Sequence, residues 1–416
     1  QDCTALQEIE LSEGLEKIGE SAFKNCSALK KITIPASVKQ IEAGAFRDCI
    51  ALQEITLLSK DTIFETDTFR NCPGVVKRPE DPAEGVKRSG PMDLAEGGTV
   101  LKKYHGTDAC VIVPAGVTAI AKECFVNCMS LQEIELPEGL EEIGESAFEG
   151  CSSLKRIVIP EGVRSIREKT FCECTALQEI RLPDGLELIG RSAFSECEAL
   201  QEVRLPEGLK EIGSDAFSSC RSLRQITIPA GVKCIESGTF WKCTALQEAH
   251  LPEELEQIGM FAFEACDTLT RIVLPASLKQ LCRGAFENCT SLLEAQLPDG
   301  LEELQDDAFE YCRSLQKVTI PAQVRQIERA AFYYCQSLQE VQLPEELNEI
   351  GEDAFAHCWA LKRIVIPAGV EKVGEHAFWE CYSLQNIAVL SDDTEIAEDA
   401  FEDCPGTVKR GTGSLF

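Results

Sequence analysis

The 416 residues carry a net charge of −30, with 44% apolar and 26% charged residues, a balance that repels phosphate backbones and anionic membrane surfaces. Basic residues are dispersed, and no apolar run approaches the roughly 18 residues that a membrane helix needs, so nucleic acid and membrane insertion are set aside. A chain of this length would ordinarily divide into two or three globular domains, unless an internal repeat imposes its own rule.

Such a repeat can be counted. Phe23, Phe46 and Phe69 are 23 residues apart, and the same step runs from Phe125 through Phe148 and onward to Phe401, each Phe being followed three residues later by Cys. Residues 130–151 read SLQEIELPEGLEEIGESAFEGC. The I-x-L core is a period-two strand that the following Pro stops, while the second L-x-x-I and the Ala-Phe pair point inward on the return path. One repeat is therefore one coil, and no coil can bury its Leu, Ile and Phe alone. Coils must stack, with strands about 4.8 Å apart in a parallel sheet on one side. Short irregular, 3-10 or strand segments are expected on the other side.

In chain order, Gln1-Asp2-Cys3 is already the tail of a repeat, so the chain is expected to begin within an array and to be a trimmed or processed fragment. Residues 1–79 form the last part of a first array, ending in a cap at 50–78. The step then fails once, between Phe69 and Phe125, where residues 80–98 are rich in Pro, Gly and charge and read as a linker or array boundary. Residues 99–410 form a second array. It opens with a starting cap at 99–120, for which a hairpin turn is expected at His105-Gly106-Thr107-Asp108, and closes with an end cap at 382–410. Residues 411–416 are a tail.

Two flavours of repeat mostly alternate, an acidic one (residues 175–197) and a more basic one (residues 152–174). The position before the strand Ile therefore runs Glu133, Arg156, Glu179, Glu202, Gln225, Glu248, Arg271, Glu294, Lys317, Glu340, Arg363. Stacking turns this into a charge ladder that favours one register, with about 0.2–1 kcal/mol per pair. Glu179 and Glu202, where two acidic repeats follow one another, mark a weaker seam.

Of the 22 cysteines, 17 fall on the 23-residue ladder, one per coil. Structural zinc wants paired ligands at short spacing, so these read as free thiols filling a small apolar slot. Cys110, Cys124, Cys172, Cys234 and Cys282 lie off the ladder, and neither Cys172 with Cys174 nor Cys124 with Cys128 has a second pair or a His beside it. No metal or cofactor is expected. Catalysis is not expected either, because His105, His250, His357 and His376 sit singly in different repeats and the common nucleophile, zinc and phosphate-loop motifs do not occur.

The irregular positions are aromatic. Tyr311, Tyr333, Tyr334, Trp359, Trp379 and Tyr382, with His357 among them, flank ladder cysteines where earlier repeats carry Ser, Asn, Glu or Lys. Stacking would set them along one edge over roughly 15–20 Å, as a ligand site or as rings that pack on one another and on the end cap. A second candidate is the strand position between Ile and Leu, which varies among the acidic repeats through Arg181, Arg204 and His250. Ligand reading and drift at a tolerant surface position account for it equally.

The pattern L-P-x-x-L-x-x-I-G-x-x-A-F-x-x-C, with its V-L-x-x-Y-x-G opening, resembles the BspA-like leucine-rich-repeat proteins over nearly the whole chain. The resemblance implies a leucine-rich-repeat solenoid in two arrays and a bacterial cell-surface or secreted protein without a catalytic centre. It also implies binding to a protein or glycan ligand, host extracellular matrix among them. The signal peptide and anchor would lie outside this chain, the oligomeric state is expected to be monomeric, and the alternative is a passive stalk or spacer.

Overall fold

The computed structural model describes residues 2–59, 62–64, 68–69, 72, 75–77 and 92–411. It is a parallel β-solenoid of about 16 turns with almost no helix. Two compact units are distinguished: Gln1–Val163 with Lys169–Arg181, and Arg164–Glu168 with Leu182–Phe416. Most of the expected linker at 80–98 lies outside the described residues.

In the first unit each coil contributes a front strand such as Arg156–Val158 and a two-residue back strand such as Glu142–Ile143. Front strands pair in parallel at the 23-residue step, as in Ile157 with Ile180. The period-two burial of Arg156, Ile157 and Val158, with the Ile inside, follows from one face meeting the core and the other meeting water. Pro137 ends the strand and its carbonyl accepts the Leu140 amide at 3.0 Å, which turns the chain toward the back. The rings of Phe125, Phe148 and Phe171 stack at 5.0 and 5.3 Å down the core.

The start of the second run of coils departs from expectation. The antiparallel hairpin pairs Met92–Ala95 with Val100–Tyr104 and turns through Glu96–Gly98, where Gly97 and Gly98 supply φ of 69° and 95°. His105–Asp108 is not a hairpin turn: it carries the chain from a back strand to the front strand Cys110–Ile112, which pairs in parallel with Glu133–Glu135. Tyr104 takes the place of the ladder Phe, with its ring 5.1 Å from Phe125, and its hydroxyl donates to Asp108 at 2.6 Å.

In the second unit the same coil recurs. Rings from Phe194 to Phe401 stack at 5.0–5.7 Å. The opposite side carries two-residue parallel strands such as Gln326–Ile327, and among the described residues no 3-10 turn lies within a regular coil. Front strands run from Gln225–Thr227 onward, but Glu202–Arg204 forms none. That gap coincides with the point where two acidic repeats follow one another in the sequence. The ion-pair ladder closes in places, as Arg363 to Glu340 at 3.1 Å here and Arg156 to Glu133 at 2.9 Å in the first unit. Thr407–Arg410 is the last front strand, fully exposed and basic at its end, which discourages edge pairing with another chain.

Ladder cysteines are free and mostly buried. They do more than fill a slot: most of these thiols donate to the carbonyl of the Phe one coil earlier, as Cys151 to Phe125 at 3.1 Å in the first unit and Cys335 to Phe309 at 3.3 Å in the second. Burial pushes the Cys243 thiol up to about 12 and Cys335 well above the ordinary range, so these thiols stay protonated donors.

Candidate functional site

A third hydrogen-bonded row, beside the ladder cysteines, sets the edge on which the aromatic residues lie. Among the described residues, the one just before each ladder cysteine is left-handed, as Asn127 at φ 58° and Gly150 at 71° in the first unit, residue types that accept this conformation readily. In the second unit the same column holds Tyr311, Tyr334 and His357 at 57°, 60° and 60°, where such side chains cost about 1 kcal/mol or more. Their amides donate to the next coil: Tyr311 to Tyr333 at 2.8 Å, Tyr334 to Ala356 at 2.9 Å and His357 to Trp379 at 2.8 Å.

This row brings all seven aromatic candidates together. Tyr311 lies 5.6 Å from Tyr333 and 5.2 Å from Tyr334 between ring centroids. His357 sits 4.2 Å from Tyr334, 5.2 Å from Tyr333 and 4.7 Å from Trp379. Trp359 bridges Tyr334 at 5.8 Å and Tyr382 at 6.3 Å. The rings do pack on one another, yet the outer ones remain open: Trp359 is 37% and Tyr382 53% exposed. His357 is only 5% exposed, so it supports the rings and offers little surface to a partner.

Carboxylates border the rings on both sides. Glu380 brings a carboxylate oxygen 3.0 Å from the buried Nδ1 of His357, which lacks the alignment of a hydrogen bond. A hydrogen bond to Glu380, then burial and the charges of Glu380 and Asp403, push the Tyr382 phenol up to about 12. On the other side, Glu264, Glu287 and Glu310 occupy successive coils in the column that continues as Tyr333, Ala356 and Trp379. Burial, then the charges of Glu264 and Asp307, push Glu287 up to about 7. Burial, then Asp307 and Glu287, do the same for Glu310. Asp307 itself is held by Arg283 at 2.9 Å and Arg329 at 3.4 Å from the coils before and after.

This carboxylate column escaped the sequence reading, although reading down the position two before each ladder cysteine would have exposed it. Arg181, in the first unit, is an exposed front-strand residue opposite Val158. Arg204 is exposed outside any strand, and His250 lies in Glu248–His250 with Nε2 3.6 Å from Glu248. Neither Arg204 nor His250 touches the ring cluster, so the front face and the aromatic edge are separate candidates. In the first unit Cys174 turns inward to the Phe148 carbonyl at 3.2 Å, while Cys172 lies beside Glu149 and Glu173, with donor atoms within 4.8 Å of one another.

The BspA type leucine rich repeat profile matches residues 1–77, 109–223, 176–293, 210–336 and 282–408. The chain belongs to that family. A leucine-rich repeat protein of Bacteroides ovatus shares the fold of this BspA-type chain with a TM-score of 0.58 and 26% identity, covering 97% of this chain and 86% of that one. A leucine rich cell surface protein of Faecalibacterium prausnitzii matches 80% of this chain and 96% of its own length at 28% identity, with a TM-score of 0.49. A T. pallidum leucine rich repeat protein is 36% identical over 43% of this chain and 87% of that one, with a TM-score of 0.41. No curated protein matches significantly.

Proposed function

We propose that this BspA-type chain is a non-enzymatic recognition module, displayed at the cell surface or secreted. On this reading it binds a protein or glycan ligand, such as a host extracellular-matrix component, through the aromatic edge of the second unit. The observation that carries the reading is the joined cluster of seven aromatic side chains with Trp359 and Tyr382 left open. Clustered tryptophan and tyrosine on a rigid scaffold supply large contact area at small entropic loss, as binding hot spots do. The surface location rests on the family, whose members resemble surface or secreted adhesins.

Catalysis finds little support at this edge. The His357 ring packs on Tyr333, Tyr334 and Trp379 and faces the Glu380 carboxylate, and the neighbouring Cys358 thiol is turned inward to the Phe332 carbonyl at 3.4 Å. A base without a nucleophile in reach does not make a hydrolytic centre.

The test is binding of the chain to an array of extracellular proteins and glycans, beside a Tyr334→Ala, Trp359→Ala, Trp379→Ala variant with unchanged thermal melting. Saturable binding lost in the variant is the expected result. Absence of binding by the unaltered chain would turn the assignment to a passive stalk or spacer.

A further inference from the structure

Resting on the assignment of the aromatic edge as a binding surface, we propose that its occupant is a basic protein segment whose arginine or lysine side chains stack on Trp359 and Tyr382 between the flanking carboxylates. The edge already shows this pairing with the chain's own cations. Lys242 Nζ stands 4.1 Å over the Trp241 ring, the Arg283 guanidinium 5.8 Å over Phe261 and the Arg313 guanidinium 5.7 Å over Tyr311. Further along, among the described residues, no cation covers Tyr334, Trp359 or Tyr382. Three rings of one edge thus lack the partner that others on that edge have.

Charge points the same way. The cations near the cluster are engaged, Arg283 and Arg329 on Asp307 and Arg313 on Tyr311. Glu264, Glu287 and Glu310 face one another on one flank, and Glu380 and Asp403 meet Tyr382 on the other. A cation stacked on the open rings gains both the ring quadrupole and these carboxylates. A neutral saccharide would desolvate the carboxylates without neutralising them, and an anionic partner would be repelled.

Binding should also strengthen as the pH rises through about 7, the value to which burial and like charge hold Glu287 and Glu310. The groups facing them are Glu264, Asp307, Arg283 and Arg329, the Tyr311 and Tyr333 phenols, and the Asn288 amide, which donates to Glu287 at 3.2 Å.

The test titrates a fluorescein-labelled oligo-arginine peptide by anisotropy at about 0.15 M salt, where distant surface charge is screened. Saturable binding is expected, weakened about tenfold in Trp359→Ala/Tyr382→Ala and similarly in Glu287→Gln/Glu310→Gln. Compared at about pH 8.5, where all four carboxyls are ionised, Glu138→Gln/Glu141→Gln removes the same charge from exposed sites of the first unit and should bind as the unaltered chain does. Equal weakening in both glutamine pairs would reduce the effect to net charge and overturn the proposal, as would absence of saturable binding. If a ligand from the extracellular panel depends on Trp359 and Tyr382 but ignores Glu287→Gln/Glu310→Gln and is not displaced by oligo-arginine, the edge is the site and its occupant is not cationic. Failure of both assays removes the aromatic edge as well.

Discussion

Replacing Phe332 by alanine removes a fully buried ring held between Phe309 at 5.5 Å and Phe355 at 5.2 Å, nearly parallel to both. Core Phe→Ala changes cost about 3–5 kcal/mol, and each stacked ring pair adds about 0.5–1.5 kcal/mol beyond the buried area. Two pairs are lost at once, so a loss of about 4–8 kcal/mol is expected. A coil touches only its neighbours, so the damage concentrates in the two interfaces that Phe332 completes. In a Trp241→Phe background, urea unfolding followed by the fluorescence of Trp359 and Trp379 should precede the loss of backbone circular dichroism, splitting a shared transition into two. Phe332→Leu should recover roughly half of the loss, since it refills part of the cavity without the ring contacts. If Phe332→Ala unfolds within about 1 kcal/mol of the unaltered chain, the ring stack is not what couples one coil to the next.

Native thiol labelling at mildly alkaline pH should reach exposed Cys3 first and leave buried ladder cysteines such as Cys197, Cys289 and Cys358 unmodified until denaturant exposes all 22; rapid native labelling of those three by peptide mass spectrometry would contradict the protonated, hydrogen-bonded ladder. Asp307→Asn should destabilise by about 1–3 kcal/mol, because a nearly buried carboxylate that ties Arg283 to Arg329 is lost. The same change should let Glu287 and Glu310 titrate closer to the ordinary 4.5, since a repelling charge has gone; carboxyl NMR titration with unmoved values would refute this. The folded values near 7 lie above that ordinary value, so ionisation opposes folding and stability falls as pH rises from about 4.5 through 7. Glu287→Gln/Glu310→Gln should therefore melt higher than the unaltered chain near pH 8 and alike near pH 4, while a constant offset at every pH would exclude the effect.

The columns that bury side chains were legible because a period of 23 residues states them many times over. Ile157, Phe148 and Cys151 could be placed inward from spacing alone, and the structure puts them there. Two-residue back strands such as Glu142–Ile143 are not distinguishable in the sequence from irregular or 3-10 segments, since a pair of residues carries no usable propensity and its pairing comes from stacking register. The hairpin expected at His105–Asp108 lies instead at Glu96–Gly98, since the positive φ that reverses the chain belongs to Gly97 and Gly98. The thiol hydrogen bond was invisible because burial propensity says that Cys goes inside, not which carbonyl it meets.

The candidate site was legible by the opposite logic. In a stacked array a buried column is held constant by packing, so a column that changes chemistry while the coil keeps its shape is released from that constraint. Tyr311, Tyr334 and His357 stand where earlier repeats carry residues such as Asn and Glu, a departure visible in the sequence; that the column is left-handed, and Asn127 and Gly150 its easy occupants, is visible only in the structure. The sequence did not reveal which of the seven face water. His357 lies under Tyr334 and Trp379 because a left-handed residue one coil from two large rings is covered by them, an outcome set by neighbouring side-chain volumes. Nor did it reveal the carboxylates of Glu264, Glu287 and Glu310, each ordinary within its own repeat. Their meaning exists only down the stack, where like charges meet and burial keeps protons on groups that would otherwise shed them. The chemistry of a solenoid edge is therefore read by columns, and here one column changes from carboxylate to aromatic between Glu310 and Tyr333 while the coil keeps its shape.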